Sequence, residues 1–569
     1  MTTFFEILQS AAQQIPDKPL FVFPETRWRP EETVTYGTLR DRSAAAAGVL
    51  ASVVRPGDRA LLLFPTGSEF WEAFLGCLAA GVVAVPLHTP NLNRTSEMLA
   101  GVCRDCRPAL LLTDENTAVL IRKRADRHPY LVDVPVITPD RWRHASAVFA
   151  VKTGSDDRTA LLQYTSGSTS HPKGVQVSHG NLLANAELIR VRMGIRTRDD
   201  CAVTWLPHYH DMGLVGSYLV TLYSQNTTWC LPPEEFVLRP ERWLQLISEQ
   251  RATICGGPDF GYRRCAEKIT DEQLEGVDLS SWRVAYIGAE KIRPETLSSF
   301  RQRFSRTGFR ESAFFPCYGL AEATLMVTGG PVDAAPVIRR VSTAALAAGR
   351  INSASTPGDR TELAGCGQTF SGSRVVIRDL ETAAALEEER IGEVCVAGPS
   401  VTNGYFHRPE QNGDLFCEVM IDGRPERLLR TGDLGFLSAG ELFITGRNSG
   451  RMIVRGKNLY PEDIEEQACA AHAAVASGGA FAFSTELDGQ EELIVAAELE
   501  RTAMRTESPE LVAAAIRQEV NAACGVNPAE ILLLRPATLP RTTSGKPRRR
   551  ALRDLYVAGT IDCLFRERE

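Results

Sequence analysis

Between residues 164 and 174 the chain reads Tyr164-Thr165-Ser166-Gly167-Ser168-Thr169-Ser170-His171-Pro172-Lys173-Gly174. Small residues and hydroxyls leave room there for successive backbone N–H groups to converge on one anion, and Lys173 adds a positive charge at the exit. That composition makes a phosphate cradle. It is not the Gly-x-x-x-x-Gly-Lys-Ser/Thr loop, which cannot be fitted to these residues. A flexible Ser/Gly linker has a similar composition, but an apolar strand pattern runs directly into this segment and Pro172-Lys173-Gly174 closes it. A second cluster, His208-Tyr209-His210-Asp211-Met212-Gly213, brings two imidazoles and a carboxylate together. No cysteine or third histidine is near in sequence, so a metal centre is not expected. Cys103-x-x-Cys106 also lacks the second pair that a structural zinc would need.

The hydroxyl-rich loop resembles the phosphate-loop signature of the adenylate-forming enzymes: acyl- and aryl-CoA synthetases, peptide-synthetase adenylation domains, luciferases and fatty acyl-AMP ligases. The resemblance continues, in the family's order, through Gly288-Ala289-Glu290, Tyr318-Gly319-Leu320-Ala321-Glu322, Thr431-Gly432-Asp433 and Pro540-Arg541-Thr542-Thr543-Ser544-Gly545-Lys546. Further stretches are similar to the fatty acyl-AMP ligases in particular. They are His210-Asp211-Met212-Gly213-Leu214, Gly256-Gly257-Pro258-Asp259-Phe260-Gly261-Tyr262, and Leu442-Phe443-Ile444-Thr445-Gly446-Arg447 together with Val454-Arg455-Gly456-Lys457-Asn458-Leu459-Tyr460-Pro461.

The resemblance implies a role for each of these residues. Thr165, Ser166, Gly167, Ser168, Thr169, Lys173 and Gly174 would hold the phosphates of ATP. Gly288, Ala289 and Glu290 would form an adenine-side loop, with Tyr318, followed by Gly319, stacked on the purine. Glu322 would be the carboxylate for Mg²⁺, a hard cation that prefers oxygen ligands and keeps several waters. Asp433 would accept hydrogen bonds from both ribose hydroxyls, beside Arg447. Lys546 would be the principal catalyst, a compact charge placed between acyl oxygen and α-phosphate as two anions are brought together. Its bland alternative is one member of the solvated run Lys546-Pro547-Arg548-Arg549-Arg550. His210, Asp211, Met212 and Gly213 would line the acyl pocket, with a purely structural role equally open for His210.

The implied activity is the conversion of a fatty acid, a long-chain one in the family's usual naming, and ATP to acyl-adenylate and pyrophosphate. The acyl group then passes to the phosphopantetheine thiol of an acyl carrier protein, or of a carrier domain in a polyketide or peptide synthase. A fatty acyl-CoA synthetase shares the first step. An amino-acid-activating domain would need Asp211 for an α-ammonium group, and an inactive nucleotide-binding scaffold would have no use for Lys546. Position 450 departs from the relatives: a charged hinge residue, usually Asp, is replaced by Gly450.

The elements that must position these residues follow an alternation of short apolar runs and longer amphipathic segments, the pattern of an α/β fold with parallel sheets covered by helices. Strands are expected at 60–64, 82–85, 109–112 and 160–163, and helices at 69–80, 181–191, 239–249 and 294–304. Residues 331–364, rich in Pro, Gly, Ala and Ser, read as an inserted, irregular segment at the place of the family's insertion. A β-rich subdomain is expected after it, with strands at 373–377, 392–396 and 442–444. The expected division is an N-terminal domain over 1–446, a hinge at 447–450 and a small mobile α+β lid over 451–569.

The 569 residues are 44% apolar and 23% charged, which describes a globular chain. A net charge of −7 argues against nucleic acid as a partner. Arg548, Arg549, Arg550 and Arg553 nevertheless offer local positive charge, either for an acidic carrier protein or as a solvated helix start. The longest apolar run, 73–87, falls short of the roughly 20 residues of a membrane span. With no basic start and long apolar stretch at residues 1–6, a cytoplasmic address is expected.

Overall fold

The apolar run 73–87 folds as the second half of a helix, Ser68–Ala80, and a strand, Val83–Leu87, with Gly81 turning the chain between them at φ 73°. The computed structural model describes residues 3–568 other than 28, 94, 145–156, 166–171, 348, 355, 357–358, 371, 422, 449–451, 455–456, 488–489, 525, 543–544 and 546. Apart from Glu69 the whole helix Ser68–Ala80 is buried, as its apolar character on every side requires. Trp71 packs against Phe21 of the strand Pro19–Phe23 on one sheet and Tyr218 of a helical stretch, with ring centroids 5.0 and 4.7 Å away. The same core takes in Ala60, Leu62 and Ala84 from a second sheet.

Among the described residues the first of these sheets has eight strands, in the order Met326–Gly329, Phe314–Gly319, Val284–Gly288, Ile254–Pro258, Cys201–Thr204, Thr227–Cys230, Pro19–Phe23, Glu32–Thr35. Its interior pairs are parallel and its two edge pairs antiparallel. The second sheet runs Val136–Ile137, Leu110–Thr113, Arg59–Leu63, Val83–Leu87, Thr159–Thr165, Lys173–Ser178. Here the last two strands form a hairpin with Thr165 opposite Lys173, so the expected phosphate cradle is the hairpin's connection. The four expected strands and four expected helices all occur, shifted by no more than a few residues at their ends.

The β-rich part is an antiparallel sheet of Arg374–Arg378, Gly392–Ala397 and Arg424–Ser438, the last flanked by Phe416–Ile421 and Glu441–Arg447. Two described stretches within residues 331–364 are regular rather than irregular. Ile338–Val341 and Thr361–Ala364 pair as an antiparallel ribbon, and Val341 and Leu363 pack on Phe436 and Phe443 of the β-rich sheet. Four strands, Val475–Leu487, Gln490–Leu499, Glu530–Leu534 and Phe565–Arg568, form a further sheet with its own apolar clusters, backed by the helices Pro461–Ala470 and Pro509–Cys524.

One expectation about surface charge needs correction. Arg549 is not part of an open basic patch: its guanidinium pairs with Glu462 at 2.8 Å and Glu465 at 2.5 Å, because Pro461–Ala470 presents an acidic stripe to the start of the helix Arg549–Val557. Arg548, Arg550 and Arg553 remain exposed. Among the described residues no helix is long and apolar enough to cross a membrane.

Candidate nucleotide and acyl site

Asp433 lies in the long strand Arg424–Ser438, and the register of the sheet sets it directly opposite Arg447 on Glu441–Arg447. Arg447 donates from Nε to one carboxylate oxygen at 2.8 Å, and Tyr318 donates its hydroxyl to the other at 2.7 Å. Tyr318 ends the parallel strand Phe314–Gly319, so this triad joins the carboxyl edge of the large sheet to the β-rich sheet. Ligands of open α/β sheets bind at that edge. Burial and the neighbouring carboxylate push the Tyr318 phenol well above its usual range, which keeps it a hydrogen-bond donor.

A second line of side chains starts at Lys173. Its Nζ lies 5.0 Å from the centre of the Tyr405 ring, and the Tyr405 hydroxyl donates to Glu322 Oε1 at 2.6 Å. The two strands that bracket the cradle are braced from outside. A Cβ on Gly174 would come within 2.9 Å of the Tyr164 ring, so the close packing of the hairpin requires glycine there. Tyr164 donates to Asp105 at 2.6 Å, and Arg408 holds the other oxygen of Asp105 at 2.6 Å. Residues Ser166, Gly167, Ser168 and Thr169, and the side chain of Thr165, lie outside the described residues, as do Lys546 and Gly450.

The turn after the strand Val284–Gly288 is tight. A Cβ on Gly288 would meet the Cys317 carbonyl oxygen at 2.6 Å, and Ala289 adopts φ 65°, a left-handed conformation that costs a non-glycine residue about 1 kcal/mol or more. Thr324, two residues past Glu322, has φ 69°. Strain of this kind collects at functional sites. Glu290 is turned outward, accepting from the Phe260 backbone N–H at 2.6 Å. The next residues reach the helix Pro461–Ala470: Lys291 pairs with Asp463, and Arg293 bridges Asp259 at 3.2 Å and Glu466 at 3.6 Å.

His210 caps the turn Asp211–Gly213, accepting from the Met212 N–H at 3.3 Å, and its Nδ1 lies 2.8 Å from Asp211. Met212 is buried at the start of the π-helical stretch Leu214–Leu219, which faces the large sheet. His208 is fully buried against Phe70, with centroids 4.2 Å apart, and burial pulls its pKa down to about 3. Cys103 and Cys106 sit in an apolar core, where burial pushes each thiol up to about 12.

The family model described as AMP-binding enzyme matches residues 8–406. The chain belongs to the AMP-binding enzymes. Among them it is 36% identical over 578 residues to the medium-chain-fatty-acid–[acyl-carrier-protein] ligase JamA of Moorena producens (strain JHB), covering 99% of this chain and 96% of that protein. A structure solved in a study of fatty acyl-adenylate ligases from E. coli and L. pneumophila superposes with a TM-score of 0.87 at 33% identity, covering 98% of each chain. A fatty acyl-adenylate ligase from L. pneumophila in complex with acyl adenylate and pyrophosphate matches at 0.76 and 33% identity, over 100% of this chain and 98% of that one. As expected for an AMP-binding enzyme of that kind, the architecture is mixed α/β with large parallel sheets and β-rich parts.

The candidate site of this AMP-binding enzyme gathers residues far apart in the chain. Tyr318 and Glu322 stand at the end of a strand of the large sheet, Asp433 and Arg447 face each other on the β-rich sheet, and Lys173 opens the last strand of the second sheet. Tyr405 does not stand out in the sequence, although it touches both Lys173 and Glu322. Its only signal is the Gly404-Tyr405 pair in a stretch with no helical or strand period. Backbone bonds fasten it to the hairpin: Phe406 donates to the Gly174 carbonyl at 2.8 Å, and Gln176 to that of Gly404 at 2.9 Å.

Proposed function

We propose that this enzyme activates a fatty acid with ATP and delivers the acyl group to an acyl carrier protein. A carboxylate oxygen of the fatty acid bonds to the α-phosphorus, the bond to the bridging oxygen of pyrophosphate breaks, and pyrophosphate leaves. The phosphopantetheine thiolate then attacks the acyl carbonyl and AMP departs. Such a displacement joins two anions, so positioning and positive charge supply most of the acceleration.

In this reading Asp433 and Arg447 hold the ribose end, Tyr318 stacks on the purine, and Lys173 with the hairpin loop holds the phosphates. Gly288, Ala289 and Glu290 border the adenine, and Lys546 enters with the lid. Glu322 offers a half-buried carboxylate steadied by Tyr405, a hard oxygen donor suited to a Mg²⁺ ion that retains waters, and such an ion would neutralise phosphate charge. Met212 and Gly213 open the acyl pocket, and the His210–Asp211 pair supports their turn.

Transfer to a carrier protein rather than coenzyme A is favoured by the inserted segment. Its ribbon is seated on the strands that lead to Asp433 and Arg447, and its short helix Thr343–Ala347 lies against Lys457–Leu459, just beyond the hinge. That contact would restrain the lid swing that coenzyme A requires. Arg548, Arg550 and Arg553 are left to meet an acidic carrier. We place the enzyme in the cytoplasm, where ATP is available and cysteine thiols stay reduced.

The observation that carries this reading is the end-to-end likeness to a fatty-acid ligase whose acceptor is an acyl carrier protein. The deciding experiment measures pyrophosphate release with a panel of fatty acids, then follows acyl transfer by mass spectrometry to a holo-carrier protein or to coenzyme A. Fatty-acid-dependent release and acylated carrier are expected. Acyl-CoA formed as fast as the adenylate would make the protein an acyl-CoA synthetase. Absence of release would make it a scaffold.

A further inference from the structure

One helix, Glu97–Cys106, touches both ends of the hairpin connection between Thr159–Thr165 and Lys173–Ser178. At the entry, Asp105 accepts the Tyr164 hydroxyl at 2.6 Å. At the exit, Gly101 lies so close to Pro172 that a Cβ there would come within 2.9 Å of the proline ring. Gly101 and Asp105 are four residues apart and therefore share one face of the helix. The adjoining face needs nothing from the connection. Leu99, Val102, Cys103 and Cys106 are buried there in a cluster with Leu61, Leu63 and Val85, which fixes the helix to the second sheet.

A third segment meets the same carboxylate. Arg408 donates to the other Asp105 oxygen at 2.6 Å. It closes the strip 404–408, in which Tyr405 bridges to Val175 and reaches both Lys173 and Glu322. Between them His407 adopts φ 53°, a conformation that a non-glycine residue keeps only where its surroundings over-determine it. Backbone bonds to the hairpin hold the Tyr405 side of that residue, and Asp105 holds the Arg408 side. With its side chain only 7% exposed, Asp105 satisfies its oxygens with these two donors rather than with water.

We propose that Asp105 is a positioning residue for the phosphates of ATP: from a helix packed independently of the cradle, it fixes the cradle's entry through Tyr164 and the Tyr405–Glu322 side through Arg408. One carboxylate thereby sets the spacing of the two sides. It acts through these partners and not by contact with the nucleotide. The inference rests on the reading of residues 165–174 as the segment that holds the phosphates.

The test measures ATP and AMP affinity by titration calorimetry on the full-length wild type, Asp105→Asn, Tyr164→Phe, Arg408→Met, Lys173→Ala and the double variant Asp105→Asn/Tyr164→Phe. KM for ATP and for the fatty acid is measured on each by pyrophosphate release. AMP lacks the outer phosphates, so its affinity reports the Asp433 end of the site and the fold. An amide offers one acceptor oxygen where two donors converge. Asp105→Asn should therefore weaken ATP by about tenfold or more and leave AMP within about twofold of wild type. KM for ATP should rise, and KM for the fatty acid should not. Tyr164→Phe and Arg408→Met should each reproduce part of the loss. In the double variant Tyr164→Phe should add little to Asp105→Asn, as for residues that act as one unit. Equal weakening of ATP and AMP would reduce Asp105 to a structural brace and overturn the inference. Unchanged ATP affinity in Asp105→Asn and Tyr164→Phe, with Lys173→Ala weakened, would overturn it too while leaving the phosphate reading standing. ATP affinity unchanged in Lys173→Ala as well would instead remove the reading on which it rests. Should Asp105→Asn not fold, Tyr164→Phe, which loses a single oxygen, carries the same comparison.

Discussion

Replacing Asp433 with asparagine probes the nucleotide end of the site at almost constant shape. In the native chain the two carboxylate oxygens serve different donors, Tyr318 at 2.7 Å and Arg447 at 2.8 Å. An amide keeps one acceptor oxygen and must turn its NH₂ toward the other donor. The Arg447 pair contributes little to folding, about 1 kcal/mol or less, since that guanidinium is 65% exposed. A hydrogen bond to a charged group contributes about 1.5–3 kcal/mol, and the Tyr318 bond is the more sheltered of the two. Ribose hydroxyls donating to the same carboxylate would lose their charge assistance as well. Loss of one such bond corresponds to about 10–100-fold in affinity. Titration calorimetry with ATP on wild type and Asp433→Asn should show that weakening, with only a small drop in Tm. A folded Asp433→Asn protein binding ATP within about twofold of wild type would refute Asp433 as the ribose acceptor.

Lys546→Ala should lower acyl-adenylate formation by about 10²-fold or more while ATP binding stays near wild type, as for loss of one preorganised transition-state donor; single-turnover assays give both numbers. Gly450→Pro should impair transfer to the carrier more than adenylation, and equal loss of both half-reactions would count against a hinge there. Changing Arg548, Arg550 and Arg553 together to Glu should slow carrier acylation and abolish its salt sensitivity without slowing pyrophosphate release. For His208 the folded pKa, about 3, lies below the unfolded value near 6.5, so the unfolded chain binds the extra proton. Its contribution is full above about pH 6.5 and is lost as pH falls toward 3. Against His208→Phe, which keeps the ring contact with Phe70, the wild type should therefore lose ground in urea unfolding as the pH is lowered from 7 to 5. A constant gap would contradict this.

Runs such as 60–64 and 82–85 are legible because strands buried on both faces are apolar throughout, and 294–304 because it opens on proline and keeps one apolar face. The 15-residue strand Arg424–Ser438, which carries Asp433, does not read as a strand. Three arginines and several half-exposed positions hide its period, and its stability comes from partners on both edges rather than from its own composition. Arg549 looks like surface for a similar reason: the acids that neutralise it, Glu462 and Glu465, lie more than eighty residues earlier. Motif residues are visible one by one, whereas the Lys173–Tyr405–Glu322 alignment depends on a loop returning to a hairpin from far along the chain. No local pattern encodes that return.

Arg447 is both the last residue of its strand and the first of the proposed hinge, and it grips Asp433 across the strand pair. Rotation about the proposed hinge would therefore begin at the residue that is hydrogen-bonded to the carboxylate proposed to hold the ribose. Two equilibria, nucleotide on or off and lid in one pose or the other, share that single contact. By linkage, whatever factor bound nucleotide imposes on the lid's preference, the lid's position must impose on nucleotide affinity. Were the proposed hinge to turn at Arg447, emptying of the nucleotide pocket and movement of the lid would be coupled events rather than separate ones.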